Sequence, residues 1–227
     1  MSPAAQTLLE EIDAMVADRN LLRHTFYKAW SNGELSLGTL RDYAKQYYHH
    51  VAAFPTYLSA VHSNTNDITT RRFILSNLID EEAGTPNHPE LWLDFAQGLG
   101  VRAAEVESTD PWPETKHLVD TFRTACRDGN TAQGIASLYA YESQIPDIAE
   151  SKISGLKRFY NVTGPKELSY FEIHKEADRE HSSVERKLLG NHADEQSAPA
   201  IKKSVEAVLN ALWGILSGVC LRHGIPA

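Results

Sequence analysis

Residues 165–189, PKELSYFEIHKEADREHSSVERKLL, carry the reading that decides the fold. Helical rotation of about 100° per residue puts His174, Asp178 and His181 at about 0°, 40° and −20°, inside one arc of about 60°. Tyr170, Ala177, Val184 and Leu188 lie on the same side, while Glu176, Arg179, Glu180, Arg186 and Lys187 lie around the back. The pattern is that of an α-helix with one buried face, and that face holds two imidazoles and a carboxylate. A buried, unpaired carboxylate is costly, so the triple must be joined by internal hydrogen bonds or by a bound cation. A divalent ion answers all three groups at once, and this donor set suits iron or manganese.

The same period of 3.6 recurs along the chain, and sustained period-2 alternation is absent, so the fold class is all-α. Helices are expected over 3–22, 24–31, 36–62, 67–82, 89–99, 113–128, 131–159, 165–189 and 197–223. Ser36, Asp67 and Ser197 are expected N-caps, and Gly84, Gly100, Gly129 and Gly190 fall just beyond helix ends. Pro55 and Pro146 lie inside long helical patterns, which should kink or break there. With 227 residues, the expectation is one domain over 1–227, a compact bundle around one core.

A formal net charge of −8 with scattered Lys and Arg argues against nucleic-acid or anionic-membrane partners. The two cysteines, Cys126 and Cys220, are far apart and form no CxxC pair, which fits a reducing cytoplasm. The N-terminal stretch shows no signal pattern, and no segment reads as the roughly 18 apolar residues of a membrane span. A cytoplasmic, water-soluble protein is expected.

Two further features depart from an ordinary bundle. Glu142 sits in the apolar stripe Ile135, Leu138, Tyr141, Ile145 and Ala149, and therefore points inward; Lys152 projects from nearly the same stripe if the turn at Pro146 does not rotate it away. Asp80, Glu81 and Glu82 stack at a helix C-terminus, where the macrodipole disfavours each by about 0.3–1 kcal/mol, so a positive group should sit nearby. Periodicity leaves Glu81 and Glu82 equally placed. His88 follows in GTPNHP, where Pro89 should hold it out of α geometry at the mouth of the next helix. Carboxylates and imidazoles thus come from three separate helix regions, the way bundles build dinuclear sites, although the Glu-x-x-His pair of ferritin-like sites is absent at these positions.

The segments LIDEEAGTPNHPELW, YAYESQIPDIAESK and YFEIHKEADREHSS resemble the haem-oxygenase-like di-metal oxidases. Within them they look like the family of the chlamydial protein associating with death domains, whose bacterial members act as 4-aminobenzoate synthases. The resemblance covers most of the chain. It implies a seven-helix haem-oxygenase-like fold and two metal ions, Fe/Fe or Fe/Mn, held by Glu81, His88, Glu142, His174, Asp178 and His181. It also implies that dioxygen, with an external reductant, acts on the protein's own side chain. Tyr27, in HTFYKAW, matches the sacrificed tyrosine, Tyr43, in LRDYAKQYY, a second redox-active one, and Lys152, in AESK, the nitrogen donor. A homodimer is expected, as is a role in folate biosynthesis. The alternative on the same fold is an oxidase of an external small molecule, which would need a long open tunnel. A hydrolase would need a pocket cysteine, and a pure interaction module would leave six potential ligands unexplained.

Overall fold

The computed structural model describes residues 2–226. In chain order the helices are α1 (Pro3–Asp18), α2 (Thr25–Asn32), α3 (Leu37–Asn64), α4 (Ile68–Glu82), α5 (His88–Gly98), α6 (Ala103–Glu107), α7 (Pro113–Arg123), α8 (Thr131–Glu142), α9 (Ile145–Phe159), α10 (Pro165–His192) and α11 (Ala198–Arg222). No strand occurs among the described residues. Caps start several of these helices: Ser36 Oγ accepts the Thr39 N–H at 3.0 Å, and an Asp67 carboxylate oxygen accepts the Thr70 N–H at 2.7 Å.

At the centre, α10 packs against α5, α8 and α9, while α3 packs against α4, α5 and α7. The buried side chains form one core, whose middle is aromatic: Phe26, Tyr27, Trp30, Tyr43, Tyr47, Trp92 and Phe171. The Trp92 indole N–H donates to the Ala44 carbonyl at 2.8 Å and ties α5 to α3 across that core.

The break expected at Pro146 does occur: the pattern over 131–159 is two helices, α8 and α9, separated at Ser143 and Gln144 just ahead of that proline. The buried Gln144 side chain stabilises the break, donating to the Ala140 carbonyl at 2.7 Å and accepting the Leu21 N–H at 2.9 Å. Other expectations need correction. α3 instead runs unbroken through Pro55, since its packing outweighs one missing backbone bond. The helix expected over 113–128 ends in a π-helical turn at Thr124–Asp128, and the 3–22 helix stops at Asp18, followed by a 3-10 turn at Leu21–Arg23. Ser197 makes no side-chain cap and instead exchanges bonds with Asp194, and Gly190 lies inside α10. These breaks, with the unanticipated α6, give more segments than seven. α11 is long and apolar enough, by length and composition, to cross a membrane, contrary to the sequence reading. Its apolar residues Ile201, Val205, Val208, Leu212 and Ile215 are buried, and the helix packs against α7 and α8.

Candidate metal centre

α4, α5, α8 and α10 bring the six sequence-predicted ligands together as two buried triads: Glu81, His88 and His174, and Glu142, Asp178 and His181. In each triad one donor atom per residue lies within 4.8 Å of the others, close enough to share one cation. Glu81 turns inward and Glu82 stays exposed, which resolves the ambiguity that periodicity left. His88 is helical rather than held outside the helix, as its first residue. Asn87 caps α5 and exchanges bonds with Glu90, and Pro89 takes a position whose N–H would be unpaired in any case. The imidazole is thereby aimed inward, its Nδ1 2.9 Å from Glu81 Oε2.

His174 Nδ1 donates to the Tyr170 carbonyl at 2.6 Å, which leaves Nε2 free to face the site, 3.9 Å from Glu81 Oε1. Burial, with His88 close by, pushes the His174 ring down to about 3, so it is neutral, the form that ligates a metal. His181 behaves oppositely. Burial disfavours its charged form, but Asp178 and Glu142 outweigh this and push it up to about 11 in the metal-free protein. Its Nδ1 lies 3.5 Å from Asp178 Oδ1 and 3.7 Å from Glu142 Oε1, and its Nε2 lies 3.2 Å from Asp80. This is the positive group expected beside the acids at the end of α4.

Burial raises Asp178 well above the carboxylate range, whereas Glu142 is lowered because contacts with Glu185, His181 and Asn77 outweigh its desolvation. Asn77 Nδ2 donates to Glu142 Oε1 at 3.0 Å. Even so, Glu142 Oε2, Asp178 Oδ2 and His181 Nδ1 are buried without a hydrogen-bond partner. Orphaned groups of this kind, together with the close-set donor atoms of both triads, fit divalent cations held by oxygen and imidazole.

Tyr27, Tyr43 and Lys152 form a second, adjoining cluster. The Lys152 side chain, on a residue only 4% exposed, donates from Nζ to Tyr43 Oη at 2.7 Å, and Tyr43 Oη lies 3.3 Å from Tyr27 Oη. Nζ also sits 5.6 Å from the centre of the Tyr27 ring, inside a cage of Tyr43, Tyr47, Trp92 and Phe171. With no carboxylate to offset it, burial pushes Lys152 down to about 7, and burial raises both Tyr27 and Tyr43. Two separate cavities of about 10 Å³ each adjoin the clusters: one touches Glu81, Glu142 and Asp178, the other Lys152, and both touch Tyr141, Tyr170 and His174. Each holds little more than one water-sized molecule. Cys126, considered as a nucleophile, is buried with its thiol pushed well up by burial and by Glu142.

Sequence reasoning missed Asn77 and Glu185. Both carried a signal: Asn77 lies one turn before Glu81, and Glu185 one turn after His181, on faces already read as inward.

Fold and site together define an all-α protein of the haem-oxygenase-like kind, with two buried carboxylate–imidazole triads. A solved structure from Shewanella denitrificans, described as having a heme oxygenase-like fold, superposes with a TM-score of 0.76 over 97% of this chain and 93% of that chain at 20% identity. Residues 41–213 match the family described as Iron-containing redox enzyme, and the chain belongs to that family. It is similar to the "4-aminobenzoate synthase" of Nitrosomonas europaea, with 42% identity over 226 residues, 95% of this chain and 92% of that protein. It is likewise similar to the "4-aminobenzoate synthase" of Chlamydia trachomatis serovar D, with 41% identity over 216 residues, 95% of this chain and 93% of that protein.

Proposed function

We propose that this protein is a 4-aminobenzoate synthase that makes its product from its own Tyr27, with Lys152 as the source of nitrogen. The observation that carries the reading is the buried chain from Lys152 Nζ through Tyr43 Oη to Tyr27 Oη, beside a metal-facing cavity too small for an outside aromatic substrate. In this reading Glu81, His88 and His174 hold one metal ion and Glu142, Asp178 and His181 the other, either both iron or one iron and one manganese. When bound, the two ions supply the activation of dioxygen, with electrons from an external reductant.

The chain's own residues set up the rest. Tyr27 already carries a ring carbon substituent and a heteroatom para to one another, as 4-aminobenzoate does. Its release requires, with dioxygen as oxidant, oxidation of the Cβ carbon to a carboxyl group, cleavage of the Cα–Cβ bond, and replacement of the phenolic oxygen, lost as water, by the nitrogen of Lys152, whose Cε–Nζ bond breaks. Lys152, pushed down to about 7, presents a large fraction of neutral amine at neutral pH, which is the nucleophilic form. Tyr43 holds that amine by its hydroxyl and lies between it and Tyr27, placed to pass a proton and an electron. Phe26 and Trp30 wall Tyr27 on its other sides and keep water out.

The test is a single turnover with iron, manganese, reductant and dioxygen, reading small-molecule product and the mass of the chain. The expected result is at most one 4-aminobenzoate per chain, with mass lost at Tyr27. Tyr27→Phe should bind the same metal and make no product; full yield from that variant overturns the reading.

A further inference from the structure

Glu185 is the one carboxylate of the central cluster that the roles above leave unused. It stands on α10 one turn beyond His181 and about 20° round the helix from His174, in the middle of the ligand-bearing arc. The residue is 0% exposed, and neither of its carboxylate oxygens has a hydrogen-bond partner. The groups that act most strongly on its charge are Glu142, Asp178 and Cys126, none of them a cation. Glu142, whose side chain Glu185 contacts, also has an oxygen, Oε2, without a hydrogen-bond partner.

A carboxylate driven this deep, beside two others, is held there by a positive partner or by a shared proton. The charge balance identifies the partner. Two divalent ions bring four positive charges, and Glu81, Glu142 and Asp178 supply three negative ones. The imidazoles act as neutral ligands. A net charge would then remain in a water-poor core, where an uncompensated charge is expensive. Glu185 supplies the fourth negative charge and brings the cluster to neutrality. The unpartnered oxygens also belong to these neighbours: Glu142 Oε2, Asp178 Oδ2 and both Glu185 oxygens lack a hydrogen-bond partner, while Glu185 itself stands outside the group of donor atoms within 4.8 Å formed by Glu142, Asp178 and His181.

We propose that Glu185 is a seventh protein residue of the metal centre, an oxygen donor that swings beside Glu142 to the ion held by Glu142, Asp178 and His181. The inference rests on the two-metal reading above. Its role is to retain that second ion, leaving the ion of Glu81, His88 and His174 unaffected.

The experiment is anaerobic equilibrium dialysis of the full chain against Mn(II), followed by electron paramagnetic resonance of the bound ions, for the wild type, Glu185→Gln and Glu185→Ala. The wild type should bind two ions per chain and show the spectrum of a coupled pair. Both variants should bind one ion normally and the second at least tenfold more weakly, with the signal of an isolated ion. The glutamine variant separates the two partners: its amide can replace a hydrogen-bonded acid but not an anionic ligand. Two ions retained at wild-type affinity in either variant overturns the role of Glu185 alone. A wild type that binds fewer than two ions overturns the two-metal reading, and this proposal with it. Circular dichroism and thermal unfolding of the metal-free variants report folding independently of metal.

Discussion

Replacing Lys152 with methionine tests the electrostatics of the buried cluster without any catalytic assay. In the folded protein the amine falls from 10.5 to about 7 through burial, which corresponds to about 5 kcal/mol of unfavourable desolvation of the ammonium. The folded state binds fewer protons at this site than the unfolded chain between those two values, so wild-type stability rises with pH across that window. Below pH 7 the full cost is present; above pH 10.5 it is gone. Methionine keeps the bulk and cannot charge. It loses the bond to Tyr43, worth about 1 kcal/mol, and the attraction of the ammonium to the surrounding rings, roughly 0.5–2 kcal/mol. The expected result at pH 6 is therefore a variant more stable than the wild type by roughly 2–3 kcal/mol. Its Tm should rise by about 2–4 °C for each of these. The advantage should shrink by about 1.4 kcal/mol per pH unit above pH 7, reach zero at about pH 9, and reverse by about 1 kcal/mol near pH 10.5, where only the lost bond to Tyr43 remains. Urea unfolding of the metal-free proteins at pH 6, 8 and 10 measures it. A stability difference independent of pH, or largest at high pH, refutes the assignment of a desolvated lysine.

Two further substitutions test how the site is held. Asn87→Ala removes the cap and one half of the reciprocal bonding that starts α5 at His88, so it should cost about 0.5–2 kcal/mol. It should also weaken metal binding at the Glu81, His88 and His174 triad more than at the other, measured by dialysis. Gly155→Ala would put a Cβ 2.6 Å from the Trp30 ring, so thermal unfolding should show a loss of about 1–3 kcal/mol as Trp30 is displaced.

Much of the centre was legible because helical periodicity is a local property. One rotation angle separates His174, Asp178 and His181 from the charged back of α10, and the structure buries all three. Glu142 read as inward for the same reason. The Glu81 and Glu82 pair was not separable by pattern, because the choice depends on how α4 rolls against α3, a tertiary fact. His88 is helical against the rule for residues before proline because the Asn87–Glu90 capping box, the stronger local signal, starts α5 there. The break between α8 and α9 is legible in Pro146, whereas the contact of Gln144 with Leu21, more than a hundred residues away, lies in no window of sequence. Tyr27 stood out only through family resemblance: as a buried tyrosine among nine it carries no periodic mark.

The complete enclosure of Tyr27, at 1% exposure among Phe26, Trp30 and Tyr43, has a consequence for the life of the molecule. A protein that surrenders this side chain removes a large aromatic from its own centre, and truncations of that size cost about 3–5 kcal/mol. That is a large share of the roughly 5–15 kcal/mol that keeps a domain folded. The reaction would therefore loosen the walls that confine its product and open the way out. It would also leave behind a spent chain, used once, that unfolds and is cleared far sooner than the fresh protein.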